Sequence, residues 1–384
     1  MARHTRRSFL GAAAGATTAV ALSGCIGSAG PGGDDSGSTA ETDDRPVARA
    51  SFFVFGDFAR QVAGDAARAE TLVPVGQHGH GWEPGPQVRR AVAEADLFVY
   101  GMEGFQPWAD DMVRDVRADD EGVRPVAVGD GVDLLGVDHG SEHTDEHHGD
   151  EGTDGHHEDE QGGEHHEGEH TDHGEDGREH TDHHEDQHTD GGEGEHGGRE
   201  GGHDHGGVDP HFWLDPRRAS AAVERVREAF AAVDPDGASR YADNASAYRE
   251  RLAALDESFE SRLAGATTDV VLVAGHDAFG YLGARYDIEF VTLTGLSPDD
   301  SPSLRDIERA QRRIDEHDLR YVCADPLESR RAARELVAET DAEEVLPLTS
   351  IPGRSDAWVE EGWGYVDVME SVNLPTLERA LGVE

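Results

Sequence analysis

Lysine is missing from this chain of 384 residues: all 33 of its basic positions are arginine. They face 81 Asp and Glu, for a formal charge of −48. An acid excess of that size reads as a surface adapted to strong ionic screening. It argues against nucleic acid and anionic membrane surfaces as partners and favours divalent cations. Cysteine is nearly missing too. With only Cys25 and Cys323 present there is no disulfide framework. Cys323 falls in the run Tyr321-Val322-Cys323-Ala324, which reads as a buried strand, where a thiol serves as a small core residue. Between 138 and 206 apolar residues are lacking altogether. Nothing there can offset the entropy of ordering, so the segment is expected to stay mobile.

That same segment holds 17 of the 23 histidines, in pairs such as His147-His148 and His183-His184, among 25 acids and two arginines. Imidazole nitrogen binds zinc, copper and nickel, and carboxylates draw cations in. The composition predicts a metal-collecting loop; the plainer alternative is a solvated acidic linker. Its charge of −23 leaves the rest of the chain near −25.

At the N-terminus, Arg6-Arg7 ahead of Phe9-Leu10 resembles a twin-arginine export signal. The small-residue apolar stretch that follows, as far as Val20, is too short to span a membrane. Leu22-Ser23-Gly24-Cys25 at its end resembles a lipobox. The expectation is a signal over 1–25, a lipid-modified Cys25, and a flexible tether over 26–46. The mature protein would then sit on the outer face of the cell membrane, anchored by lipid.

From residue 48 the composition becomes globular. Strand-like runs at 50–55, 71–75, 96–100 and 123–128 alternate with helical patterns at 57–67, 87–95 and 108–116. After the insert, 216–233 is amphipathic and 237–263 gives one long helical pattern, roughly 40 Å at 1.5 Å per residue. Strands at 269–274, 289–293, 320–324 and 345–348 follow, with helices between. The pattern predicts two α/β domains with parallel-rich sheets joined by one long rigid helix. The boundaries expected are 47–235, 236–264 and 265–384, with no internal sequence repeat.

Outside the insert and the signal, five histidines remain: His78, His80, His211, His276 and His317. Ligands of open α/β sheets gather at the carboxyl ends of strands. His80 follows the run Leu72-Val73-Pro74-Val75, His276 follows Val270 to Ala274, and His211 stands in Asp209-Pro210-His211-Phe212-Trp213-Leu214-Asp215-Pro216. His317, in a charged helical stretch, reads as a surface residue.

These residues resemble the substrate-binding proteins of zinc and manganese ABC importers, and specifically the zinc branch with its His-rich loop. The likeness runs through Leu72-Val73-Pro74-x-Gly76 to His80 and Glu83-Pro84, then the Asp209–Pro216 segment, His276-Asp277-Ala278-Phe279-Gly280-Tyr281, and Tyr365 to Asn373. It implies His80, His211 and His276 as metal ligands in an interdomain cleft. His78 stands where Asp or Ser-Pro is usual, and reads as lying behind the ligands or exposed rather than as an auxiliary ligand. The resemblance also implies a fourth, carboxylate ligand in manganese-type relatives; Trp363 occupies that place here. Glu361 is the nearest carboxylate candidate, with a water or an open position preferred. Three imidazoles with at most one oxygen suit Zn²⁺ as cargo, whereas Mn²⁺ prefers more carboxylate. Glu83, Asp209 and Asp277 are candidates to hold the ligand rings.

The resemblance implies a binding protein that captures Zn²⁺ and passes it to a membrane permease with a cytoplasmic ATPase. The alternatives are capture of manganese or another divalent ion, and a passive metal-buffering or adhesion lipoprotein. Three histidines on zinc with an open position also describe a hydrolytic site, but ligands spread over two domains and the lack of a dedicated catalytic loop argue against an enzyme. A monomer is expected.

Overall fold

The computed structural model describes residues 44–79, 81–118, 122–136 and 207–383. The expected signal, Cys25, most of the tether, the His-rich insert and His80 lie outside them. Strands β1 (Val47–Ala50), β2 (Arg68–Thr71), β3 (Leu97–Tyr100) and β4 (Arg124–Ala127) alternate with helices α1 (Phe53–Ala63), α2 (Pro86–Ala93) and α3 (Pro107–Ala118). All pairs are parallel, in the order β2-β1-β3-β4. Helices α4 (Pro216–Val233) and α5 (Ala238–Leu263) lead to β5 (Val270–Val273), α6 (Gly280–Tyr286), β6 (Glu289–Thr292), α7 (Leu304–His317), β7 (Tyr321–Ala324), α8 (Arg331–Glu339) and β8 (Glu344–Pro347). The second sheet is again wholly parallel, β6-β5-β7-β8. Short helices α9 (Asp356–Glu360), α10 (Tyr365–Val368) and α11 (Leu374–Ala380) close the chain. The two lobes thus repeat one strand order although the sequence shows no repeat.

Helix α4 starts where Asp215-Pro216 dictates. The Asp215 side chain accepts from Arg217 N–H at 2.8 Å, and proline at the first helical position gives up a donor that had no partner to lose. Helix α5 has 26 residues, about 39 Å. Tyr241, Ala245, Tyr248, Leu252, Leu255 and Phe259 form its buried stripe. Its first half packs on the N-terminal lobe, where Tyr241 stacks on Phe230. Its second half packs on the C-terminal lobe, where Phe259 stacks on Tyr286. None of the described helices is long and apolar enough to cross a membrane.

Strand alternation divides the core of the C-terminal lobe. Val271 and Val273 join the large cluster that runs through α5 into the N-terminal lobe, while Val270 and Leu272 face a separate cluster with Ile314, Val322 and Leu336. Cys323 is fully buried, as its sequence setting implies.

Two expected boundaries are corrected. The apolar run 50–55 is not a strand: β1 ends at Ala50, and Phe53, Val54 and Phe55 open α1, nine of whose 11 residues are buried. A helix buried nearly all round lacks the polar face that marks helical period. Of the run 71–75 only Thr71 lies in a strand, as the last residue of β2. The neighbouring edge strand β2 has the sequence Arg-Ala-Glu-Thr and a half-exposed pattern.

The lobes meet through buried polar ties within the single contiguous unit Arg45–Glu384. Asp57 of α1 accepts from Tyr248 Oη at 3.1 Å and from Tyr365 N–H at 3.0 Å. Trp213 Nε1–H donates to Ser350 O at 2.7 Å, and Phe53 N–H donates to Pro352 O at 3.0 Å. Between those two acceptors Ile351 takes φ 59°, a region that β-branched residues avoid. The strain, of order 1–3 kcal/mol, is held in place by the two cross-lobe bonds and by Thr349 Oγ1, which accepts from Ile351 N–H at 3.0 Å.

Candidate metal centre

The segment Asp209-Pro210-His211 is folded back on itself. Asp209 Oδ1 accepts from the His211 backbone N–H at 2.9 Å and lies 2.8 Å from His211 Nδ1. A carboxylate at Nδ1 fixes the tautomer with its proton there and puts the ring lone pair on Nε2, the form a metal requires. His211 is fully buried, between the rings of Phe105 at 5.9 Å and Trp213 at 5.3 Å. Burial holds its pKa below the ordinary histidine value, against the opposing pull of Asp209, so the ring stays neutral.

His276 follows β5 and is 4% exposed. Its ring centre stands 5.4 Å from that of His211 and 5.3 Å from that of His78. Two imidazoles on one tetrahedral zinc, with Zn–N near 2.0 Å, have ring centres about 5 Å apart. Both spacings therefore suit a shared ion. His276 Nδ1 lies 3.2 Å from Glu328 Oε1, so this ring too is held at Nδ1 by a carboxylate. The same oxygen lies 2.8 Å from His78 Nε2. Burial raises the Glu328 pKa, but hydrogen bonds from His276 and His78 outweigh it and hold the carboxyl well below the usual range. Ligand-capable atoms of His78, His276 and Glu328 all lie within 4.8 Å of one another. A cleft of about 640 Å³ opens over them, its wall formed in part by His78, Trp82, Glu83, Asp299 and Glu328.

Of the residues expected at the site, His211 and His276 come together from opposite lobes. His80 lies outside the described residues. His78, read as lying behind the ligands or exposed, is half-buried and turned onto His276 and Glu328, because its loop is fastened to the C-terminal lobe by Gly76 N–H donating to Arg354 O at 2.8 Å. Glu361 does not join the group. It is exposed at the end of α9, in a segment that Tyr365 fastens to Asp57 and α1. The carboxylate beside the histidines is instead Glu328, which sequence reasoning missed. Its signal was available: Asp325-Pro326-Leu327-Glu328 follows β7, and β7 lies next to β5, whose end carries His276. Of the three carboxylates expected to hold rings, Asp209 does so. Glu83 lines the cleft, and Asp277 is tied by its N–H to Gly295 O at 2.8 Å, its pKa raised by burial and by the charge of Asp209. His317 is half-buried in the last turn of α7.

The root of the insert adjoins this site. Gly136 and Val208 pair in an antiparallel bridge, and Asp209 N–H donates to Leu135 O at 2.9 Å. Tyr281 of α6 reaches across from the other lobe: its hydroxyl donates to Asp209 O at 2.7 Å and accepts from Leu135 N–H at 2.9 Å.

Residues 49–380 match the model of the family described as ZnuA, zinc-uptake complex component A, periplasmic. The zinc-binding lipoprotein AdcA of Streptococcus pneumoniae is 30% identical over 337 residues, which cover 87% of this chain and 55% of that protein. The chain thus spans about half the length of the AdcA proteins it matches. The high-affinity zinc uptake system protein ZnuA of Bacillus subtilis is 26% identical over 348 residues, 91% of each chain. In fold, the chain is similar to the crystal structure of the Zn(II)-bound ZnuA-like domain of Streptococcus pneumoniae AdcA, with a TM-score of 0.62 at 23% identity, covering 88% of this chain and 99% of that one. With the family model matched from the first strand to the last helix, the chain belongs to the ZnuA family of zinc-uptake components.

Proposed function

We propose that this chain captures Zn²⁺ outside the cell and delivers it to the membrane permease of an ABC importer driven by a cytoplasmic ATPase. One observation carries the reading: His211 and His276, on different lobes, stand with ring centres 5.4 Å apart, each held at Nδ1 by a carboxylate. Their Nε2 atoms hold the ion, and His80, assigned by the sequence resemblance, completes a three-imidazole set. That set favours zinc over manganese. The chain acts as a binding protein and not as an enzyme, in keeping with its family. It works as a monomer, held outside the cell by lipid at Cys25 after export through the signal at 1–25 and carried on the tether 26–46. Domains 47–235 and 265–384, joined by the helix at 236–264, form the two walls of the site. The His-rich insert at 138–206 gathers ions for it.

The test is a zinc titration of the mature protein with and without residues 138–206. One tight site is expected in both, with additional weak sites only when the insert is present. The double variant His211→Ala/His276→Ala should lose the tight site. If that variant, lacking the insert, still holds one zinc tightly, the assignment is wrong. Equal affinity for manganese in the same titration would favour the broader divalent-metal reading.

A further inference from the structure

Two groups of donors meet at His276. On its buried side stands His211, fully enclosed and absent from the wall of the cleft. On its open side stand His78 and Glu328, both in that wall. Glu328 Oε1 is 2.8 Å from His78 Nε2 and 3.2 Å from His276 Nδ1, and the three atoms fit within 4.8 Å. We infer that His78, His276 and Glu328 form a second, outer position for a divalent ion of the zinc class, from which the ion passes inward to His211. The inference rests on the proposed reading that the inner ion is held by His211 and His276.

The chemistry of the donors supports the assignment. Two imidazole nitrogens and one carboxylate oxygen suit Zn²⁺ and similar borderline ions, and the set is too rich in nitrogen for Mg²⁺ or Ca²⁺. His78 and Glu328 are presented to the cleft, with His276 buried behind them, and Glu83 and Asp299 add two further acidic groups on the path of an arriving cation. Among the described residues, Phe105 and Trp213 close over the His211 ring on the buried side.

His276 serves both positions but only one at a time. A neutral imidazole has a single ring lone pair, on Nδ1 for the outer position or on Nε2 for the inner one. When the ion moves from Nδ1 to Nε2, one proton leaves Nε2 and one is placed on Nδ1. No proton is gained or lost overall. Glu328 then changes role, from ligand of the outer ion to acceptor for the Nδ1–H of the ring that binds the inner ion. One residue thereby receives the ion and afterwards fixes the ring that keeps it.

The experiment is anomalous diffraction at the zinc edge on crystals of the full mature chain and of its His211→Ala variant, both soaked in Zn²⁺. In the unaltered chain the peak is expected on His211 Nε2 and His276 Nε2. In His211→Ala it is expected within about 2.0–2.3 Å of His78 Nε2, His276 Nδ1 and Glu328 Oε1. A His211→Ala crystal without density at that point overturns the outer position and leaves the inner site standing. A peak on the outer donors in the unaltered chain overturns the inner reading instead. In solution, zinc affinity of His211→Ala should fall at least a further tenfold when His78→Ala and Glu328→Gln are added. Insert binding is common to both proteins and cancels in the comparison. Equal affinity of the two proteins also overturns the outer position.

Discussion

In the N-terminal lobe the crevice beyond the carboxyl ends of β1 and β3 is packed with aromatic rings. Phe52 follows β1, Phe105 follows β3, and their centres stand 5.4 Å apart, with Trp213 against both. In the C-terminal lobe the corresponding crevice, beyond β5 and β7, holds His276 and Glu328. Both are points where the strand order reverses, the place where open parallel sheets bind ligands. One lobe has filled its crevice with core and brings its histidine, His211, on a later turn laid over the aromatic plug. The other keeps the crevice polar and open to the cleft. The same topology thus yields a sealed wall and an accessible one. On the proposed reading the ion is held against the first and reached through the second.

The harshest way to break this comparison is Trp213→Ala. It removes a buried indole whose N–H meets Ser350 across the lobes. Unfolding free energy in chemical denaturation should fall by about 3–5 kcal/mol. Glu328→Ala, beyond β7 in the other lobe, should cost about 1–2 kcal/mol, its two bonds to histidine discounted for partial exposure. Equal losses would remove the distinction between plug and opening.

Asp209→Asn and Glu328→Gln sharpen it at the level of binding. Each weakens the hold on a ring nitrogen, and zinc affinity in a chelator-competition titration should drop by about 10–100-fold for Asp209→Asn. The drop for Glu328→Gln should lie at the lower end, because water reaches Glu328, which is 21% exposed, and can accept from the ring in its place. A larger loss at Glu328 would reverse the assignment of sealed and open walls.

The smallest effect concerns the spine that joins the lobes. Asp256 of α5 accepts from Arg217 and Arg285, each at 2.8 Å, and from Tyr286 at 3.0 Å. Burial raises its pKa, but those bonds outweigh it and hold the carboxyl below its ordinary value. A depressed folded-state pKa contributes stability that is fully present above about pH 4 and is lost as pH falls through the lower, folded value. Asp256→Asn should cost about 1–2 kcal/mol at neutral pH, discounted because Arg217 is largely exposed. It should also flatten the acid limb of stability below pH 4. An unchanged acid limb would exclude Asp256 as a carboxylate that helps join the lobes.

What the sequence disclosed follows from how local each signal is. Helix α4 was legible because its Asp215-Pro216 cap and apolar stripe lie close together in the sequence, and α5 because its long apolar stripe does. His211 was legible because its turn, its carboxylate Asp209 and the packing indole of Trp213 occupy one short segment. Glu328 was not, since it is 52 positions from His276 in the chain and becomes its neighbour only through the pairing of β5 with β7, Val273 opposite Cys323. The inward turn of His78 depends on a bond to Arg354 that no local pattern encodes. Glu361 was the nearest carboxylate candidate by its closeness in sequence to Tyr365, behind a water or an open position, and the bond from Tyr365 to Asp57 ties that segment to α1.

The bridge between Gly136 and Val208 has a consequence for how this protein can change over time. Chain entering at one of these residues and leaving at the other starts and finishes at the same place, whatever its length. Loop-closure cost grows only logarithmically, by about 0.6 kcal/mol for each doubling. Duplication or loss of histidine-bearing units between the two residues is therefore close to neutral for folding. Selection can therefore raise or lower the number of histidines between the two residues by copy number without disturbing the fold. The metal centre, whose His211 comes three residues beyond the bridge, inherits none of that variation.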